Sequence, residues 1–138
     1  MKKLLLLALI GLSFNVSKAQ TAFVSPYSTI SNKVDYYGLE VGLCYDKVWV
    51  STDYSYDPTA ENSYVGLNLY NKVASANKFG FWLYNSVGYD FSYKSVAYEP
   101  GGSVVFDLTK VISPQFTVSV PIIKNTSVAY TLSLMLNL

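Results

Sequence analysis

Four carboxylates, Glu40, Asp53, Asp90 and Asp107, fall on the side opposite the apolar residues in segments where apolar and polar residues strictly alternate. Gathered in one narrow space they would repel one another or recruit water and cations, the makings of a cation-preferring crevice or a divalent-ion site. The competing reading is structural: the acids sit hydrated near the rims of the fold or accept hydrogen bonds from Tyr64, Tyr70 and Tyr84. Catalytic chemistry has little to work with. No His occurs in the 138 residues, which removes the commonest general base and a frequent metal ligand. No Ser–Lys spacing suggests a nucleophile, and nothing singles out Asp53 and Asp90 as an acid–base pair. The expectation is a protein that is not an enzyme, with no catalytic residues, no cofactor and no metal. Cys44 is the lone cysteine, cannot form an intrachain disulfide, and reads as a small apolar filler.

The elements that position these groups follow from composition and pattern. At 51% hydrophobic and 16% aromatic, with only 14% charged residues against roughly 25% in ordinary soluble domains, the chain is neither disordered nor typically soluble. Its length suits one domain. Lys2 and Lys3, the apolar run Leu4 to Leu12 and the small-x-small site Ser17-Lys18-Ala19 have the layout of a cleavable secretory signal peptide over residues 1–19. That apolar run is too short to span a bilayer. The remainder, 20–138, keeps seven Lys against nine acids, a formal charge of −2, and has no Arg or basic run to attract nucleic acid.

Beyond residue 20 the chain alternates with period two: Tyr37, Leu39, Val41 and Leu43; Val48, Val50, Thr52 and Tyr54; Phe79 through Tyr93; Phe116, Val118 and Val120; Val128 through Leu138. Such alternation marks strands with one apolar face. Eight strands are expected, at 22–30, 36–45, 48–56, 63–70, 79–93, 102–109, 115–123 and 127–138. Pro26 makes the first the poorest of these. Loop lengths keep the apolar face continuous. Asp46-Lys47 sets Tyr45 opposite Val48, Lys124 to Thr126 sets Ile122 opposite Val128 and Val120 opposite Tyr130, and a loop over 110–114 sets Leu108 opposite Phe116.

The other face decides what the apolar one meets. It carries Gly38, Gly42, Gly66, Gly80 and Gly88 with Ser51, Ser55, Asn68, Ser86, Thr117, Ser119 and Ser133, rather than the Lys and Glu that water would select. Small residues suit the cramped interior of a narrow closed barrel, which turns the apolar face outward to lipid. Eight strands of about 9–11 residues are what a small transmembrane barrel needs. Several Tyr, among them Tyr37, Tyr45, Tyr54, Tyr56 and Tyr93, lie near strand ends, where a membrane–water boundary would place them.

On the signal, the dyad alternation, the short turns and the final strand Val128 to Leu138, the chain resembles the small eight-stranded bacterial outer-membrane β-barrels. That resemblance implies an all-β, antiparallel up-and-down transmembrane barrel in the outer membrane. It also implies lipid and, during insertion, the barrel-assembly machinery as partners. Members of that family usually end in an aromatic residue read by that machinery, whereas this chain ends in Leu138. The function expected is a structural or surface-interaction role without a wide pore. The alternatives are a minor cation-preferring channel and a secreted soluble β-sandwich or barrel that binds a ligand. With both termini in the periplasm, loops 31–35, 57–62, 94–101 and 124–126 would face outside. Tyr98 and Glu99 of the third are the expected loop contact. Asn125-Thr126-Ser127 matches a glycosylation sequon, and Pro100-Gly101-Gly102 reads as a turn.

Overall fold

The structure, a computed structural model, describes residues 21–31, 35–122 and 127–138. The signal segment, the sequon and the 124–126 loop therefore fall wholly or mainly outside the described residues. Eight strands follow one another: β1 (Thr21–Ser31), β2 (Asp35–Cys44), β3 (Val48–Asp57), β4 (Asn62–Ala76), β5 (Phe79–Asp90), β6 (Ser95–Phe106), β7 (Ile112–Ser119) and β8 (Ala129–Asn137). Each pairs antiparallel with its neighbours in sequence, and β1 pairs with β8, so the sheet closes into a barrel with no free edge along its circumference. Closure is staggered. Partners of Tyr27 traced one way, through Gly38, Ser55 and Tyr64, reach Asp90 on β5. Traced the other way, through Ser133, Gln115 and Val105, they reach Gly80, ten residues away on the same strand. An even stagger keeps every inward residue inward all the way round, because side chains alternate with period two.

Burial follows that alternation. Along β3 the side chains of Trp49, Ser51, Asp53, Ser55 and Asp57 are buried while those of Val50, Tyr54 and Tyr56 are exposed. Leu39, Leu67, Leu83, Val118 and Leu132 likewise stand on the outer surface. The inward glycines make room for rings. A Cβ on Gly42 would lie 2.7 Å from the Phe23 ring, and one on Gly38 or Gly88 would overlap the Tyr27 or Tyr64 ring.

β1 is paired with β2 from Thr21 to Ile30. On its β8 side the ladder skips from Val24–Leu136 to Tyr27–Ser133, leaving Pro26 where no amide hydrogen is called for. Several boundaries differ from the sequence reading. β6 ends at Phe106 rather than 109, and β7 runs Ile112–Ser119 rather than 115–123, so part of the expected 110–114 loop is strand. β4 and β5 run on to a two-residue turn, Asn77-Lys78, with Asn77 at φ 55° and a bulge between Lys72 and Ala74 absorbing the extra residue. β5 stops at Asp90, and its connection to β6 is the short turn 91–94, closed by Lys94 at φ 48°. β6 then begins at Ser95, so Pro100-Gly101-Gly102 is strand rather than turn. The Pro100 carbonyl accepts from Val120 N (3.0 Å), and Gly101 lets the β7 backbone approach closely. Two registers also shift. Phe116 faces Val104 instead of Leu108, and Tyr130 faces Val118 instead of Val120, in each case by an even number of residues that preserves the face.

Candidate functional site

The barrel interior is divided across its axis. At the end where Thr21 and Leu138 lie, the inward-facing Phe23, Trp49, Tyr70, Trp82, Val105 and Met135 pack as one buried cluster. The Trp49 and Trp82 ring centroids are 3.8 Å apart, Phe23 lies 6.1 Å from Trp49, and Tyr70 stands 5.8 Å from Trp49 and 5.0 Å from Tyr84. Cys44 packs against this plug. Lys72 places its ammonium 5.5 Å from the Trp82 ring centroid.

Above the plug, Glu40 and Asp53 meet. They are register partners on β2 and β3, and the Asn68 side chain donates to both, at 3.2 Å to Glu40 Oε1 and 3.0 Å to Asp53 Oδ1. Glu40 also accepts from the hydroxyls of Ser51 and Tyr70, and Asp53 from that of Tyr27. Tyr70 thus meets an acid as the structural reading expected, whereas Tyr84 donates to Asn68 Oδ1 at 3.3 Å and Tyr64 pairs with the Ser86 hydroxyl. Among the described residues every donor to these two acids is neutral. β6, β7 and β8 contribute a network of neutral groups. There the Gln115 amide donates to Ser103 Oγ (2.6 Å) and Thr117 Oγ1 (3.3 Å), and Ser133 donates back to Gln115 (3.3 Å).

Toward the other end the lumen opens into a cup of about 410 Å³, whose walls include Glu40, Asp53, Asp90, Glu99 and six tyrosines but, among the described residues, no lysine. Asp90 has a structural task there. It accepts from the Asn62 amide (3.1 Å) and from the backbone amides of Ser92 (2.9 Å) and Tyr93 (3.0 Å), while Asn62 Oδ1 takes a further bond from Ser92 N (3.0 Å). The β3–β4 and β5–β6 turns are tied together by these contacts. Asp57 holds its own turn in the same way, accepting from Thr59 N at 2.7 Å.

Three of the four carboxylates expected inside are therefore inside. Asp107 is not: β6 ends at Phe106, and Asp107 lies exposed in the following turn, accepting from Ser113 Oγ at 3.0 Å. The expected loop pair is corrected too. Tyr98 and Glu99 are strand residues of β6 facing opposite ways, Tyr98 outward with its hydroxyl on Asn85 (2.7 Å), Glu99 inward against the Ser119 hydroxyl. Parity opposite to that of outward Val104 and Phe106 places Glu99 inside, and only the reading of Pro100-Gly101-Gly102 as a turn hid it. Among the described residues no three His, Cys, Asp or Glu side chains converge to hold a metal ion.

No protein-family model matches the sequence, and no curated protein is significantly similar to it. Solved structures match the fold. A de novo designed transmembrane β-barrel superposes with a TM-score of 0.74 at 4% identity, covering 87% of this chain and 97% of the other. The N-terminal β-barrel domain of Pseudomonas aeruginosa OprF gives a TM-score of 0.71 at 9% identity, covering 87% and 98%. The designed barrel TMB2.3, solved by solution NMR, gives 0.66 at 7% identity, covering 84% and 92%. The chain thus has the closed eight-stranded antiparallel architecture of small transmembrane barrels.

Proposed function

We propose that this protein is an exported bacterial outer-membrane β-barrel with a structural or surface-interaction role, no enzymatic activity and no continuous pore. One observation carries the reading: an apolar belt covers the outside of the cylinder. Leu39, Leu67, Leu83, Val118 and Leu132 are exposed around its circumference, while beyond the aromatic plug Ser, Asn, Asp and Glu side chains face the interior. In water such a belt far exceeds the apolar patches that soluble monomers tolerate, and it argues against a secreted sandwich. In lipid it is the favoured surface, and closure of the sheet leaves no open edge strand facing the hydrocarbon. The signal-like N-terminus supplies the route, and membrane lipid and the assembly machinery are the partners proposed. A non-catalytic role is supported by the lack of His in the sequence and by carboxylates engaged with neutral hydroxyls and amides.

The interior acids favour a second reading, a cation-preferring channel, but ions crossing the barrel would have to pass the Trp49–Trp82 contact. Membrane fractionation followed by planar-bilayer recording tests both. The protein is expected in the outer-membrane fraction, extracted only by detergent, with gel mobility that shifts on heating, and silent in bilayers. Recovery as a soluble periplasmic protein would refute the reading. Reproducible cation-selective steps that vanish in Asp53→Asn would replace it with the channel.

A further inference from the structure

We propose that the open half of the lumen is a binding site for a small organic ammonium cation, entering from the end opposite Thr21 and Leu138 and stopping at the aromatic plug. The first observation is the space itself. A well-packed interior leaves few voids larger than a water molecule, and eight-stranded barrels are either filled by side chains or hold one small ligand. This barrel is filled over its lower part and carries a cup of about 410 Å³ over its upper part, a volume within the range of ligand pockets.

The walls select the guest. Rings of Tyr27, Tyr36 and Tyr64 line the cup together with the carboxylates of Glu40, Asp53 and Glu99. Among the described residues the hydrogen-bond donors to those acids are hydroxyls and the Asn68 amide, and no lysine lines the cup. Acidic groups held away from bulk water without a counter-charge leave a field that a cationic guest would satisfy. Aromatic faces beside carboxylates suit an ammonium carrying methyl groups, which gains cation–π attraction and apolar contact at once. A bare metal ion fits less well, since no three candidate ligands converge among the described residues. An anionic guest would be repelled by the same carboxylates. Binding itself needs only the folded lumen; the side of the membrane from which the guest arrives rests on the outer-membrane reading above.

The test is calorimetric titration of the full-length mature barrel, refolded in an alkyl maltoside that has no choline headgroup. The probes are choline and its neutral isostere 3,3-dimethylbutan-1-ol. Saturable one-to-one binding of choline is expected, at least tenfold tighter than of the isostere and at least tenfold weaker in Glu99→Gln. A readout that needs no variant runs alongside: nuclear Overhauser contacts from the choline N-methyl protons are expected on the rings of Tyr27 or Tyr64. Equal affinity for the isostere, no saturation, or contacts only to the outward rings of Tyr54 and Tyr56 would overturn the proposal. Heat-shifted mobility in the same samples separates the two readings. A folded, lipid-inserting barrel that ignores choline refutes only this site, and a choline-binding chain that refuses lipid refutes only the membrane assignment.

Discussion

Truncating the plug is the most informative perturbation of the interior. Trp49 and Trp82 are 8% and 5% exposed, and their centroids are 3.8 Å apart, so each ring is a main neighbour of the other. Trp49→Ala or Trp82→Ala alone should cost about 3–5 kcal/mol, the transfer of a large ring plus the cavity it leaves. The pair should be sub-additive by about 0.5–1.5 kcal/mol, the usual worth of an aromatic contact beyond its buried area. Urea unfolding in lipid vesicles, followed by tryptophan emission in the single variants and by circular dichroism in the double, measures all three differences. The double variant should also join the cup to the opposite mouth. Planar bilayers should then show steps absent from the parent and biased toward cations by Glu40 and Asp53. Single-variant costs below about 1 kcal/mol would show that the rings are not a packed core. A parent protein that already conducts as the double variant does would show that they close nothing.

Three other substitutions probe separate parts of the account. Leu67→Asp, at an outward position 59% exposed in the middle of β4, should hinder insertion, with a cost toward the low end of about 2–4 kcal/mol, read by heat-shifted mobility after refolding into vesicles. Gly42→Val would force a side chain into the Phe23 ring and should lower unfolding stability by about 1–3 kcal/mol, with strand content by circular dichroism unchanged. Asp90→Ala removes the acceptor shared by Asn62, Ser92 N and Tyr93 N and should cost about 1–3 kcal/mol. The 91–94 turn should then be cut faster by added protease, while Asp107→Ala, at an exposed turn, leaves cleavage there unaltered.

Which residues face inward was legible in the sequence because a strand repeats every two residues and an even register error leaves the face unchanged. Leu108 does not meet Phe116, yet Phe116 still points outward opposite Val104. Glu40, Asp53 and Asp90 could be placed inside on parity alone. Asp107 could not, since Phe106 and Leu108 continue the alternation past the last paired residue into a turn. Glu99 was concealed by a proline and two glycines that normally end a strand; here the sheet uses the Pro100 carbonyl and needs the close approach Gly101 allows. The plug was invisible for a different reason. Phe23, Trp49, Tyr70 and Trp82 come from four strands at unrelated spacings, and only the barrel's stagger brings them to one height. The cup follows from the same fact, being what remains open when the large rings gather at one end.

Contact between the outer face and hydrocarbon is the claim on which the account stands, and paramagnetic lipid reports it residue by residue. With the barrel in nanodiscs containing a chain-end doxyl lipid, amide signals of Leu67, Leu83, Val118 and Leu132 should broaden strongly. Signals from Tyr98 and the 58–61 turn should stay sharp. Sharp signals throughout that outer belt, with those residues protected by one another in a lipid-free core, would contradict it.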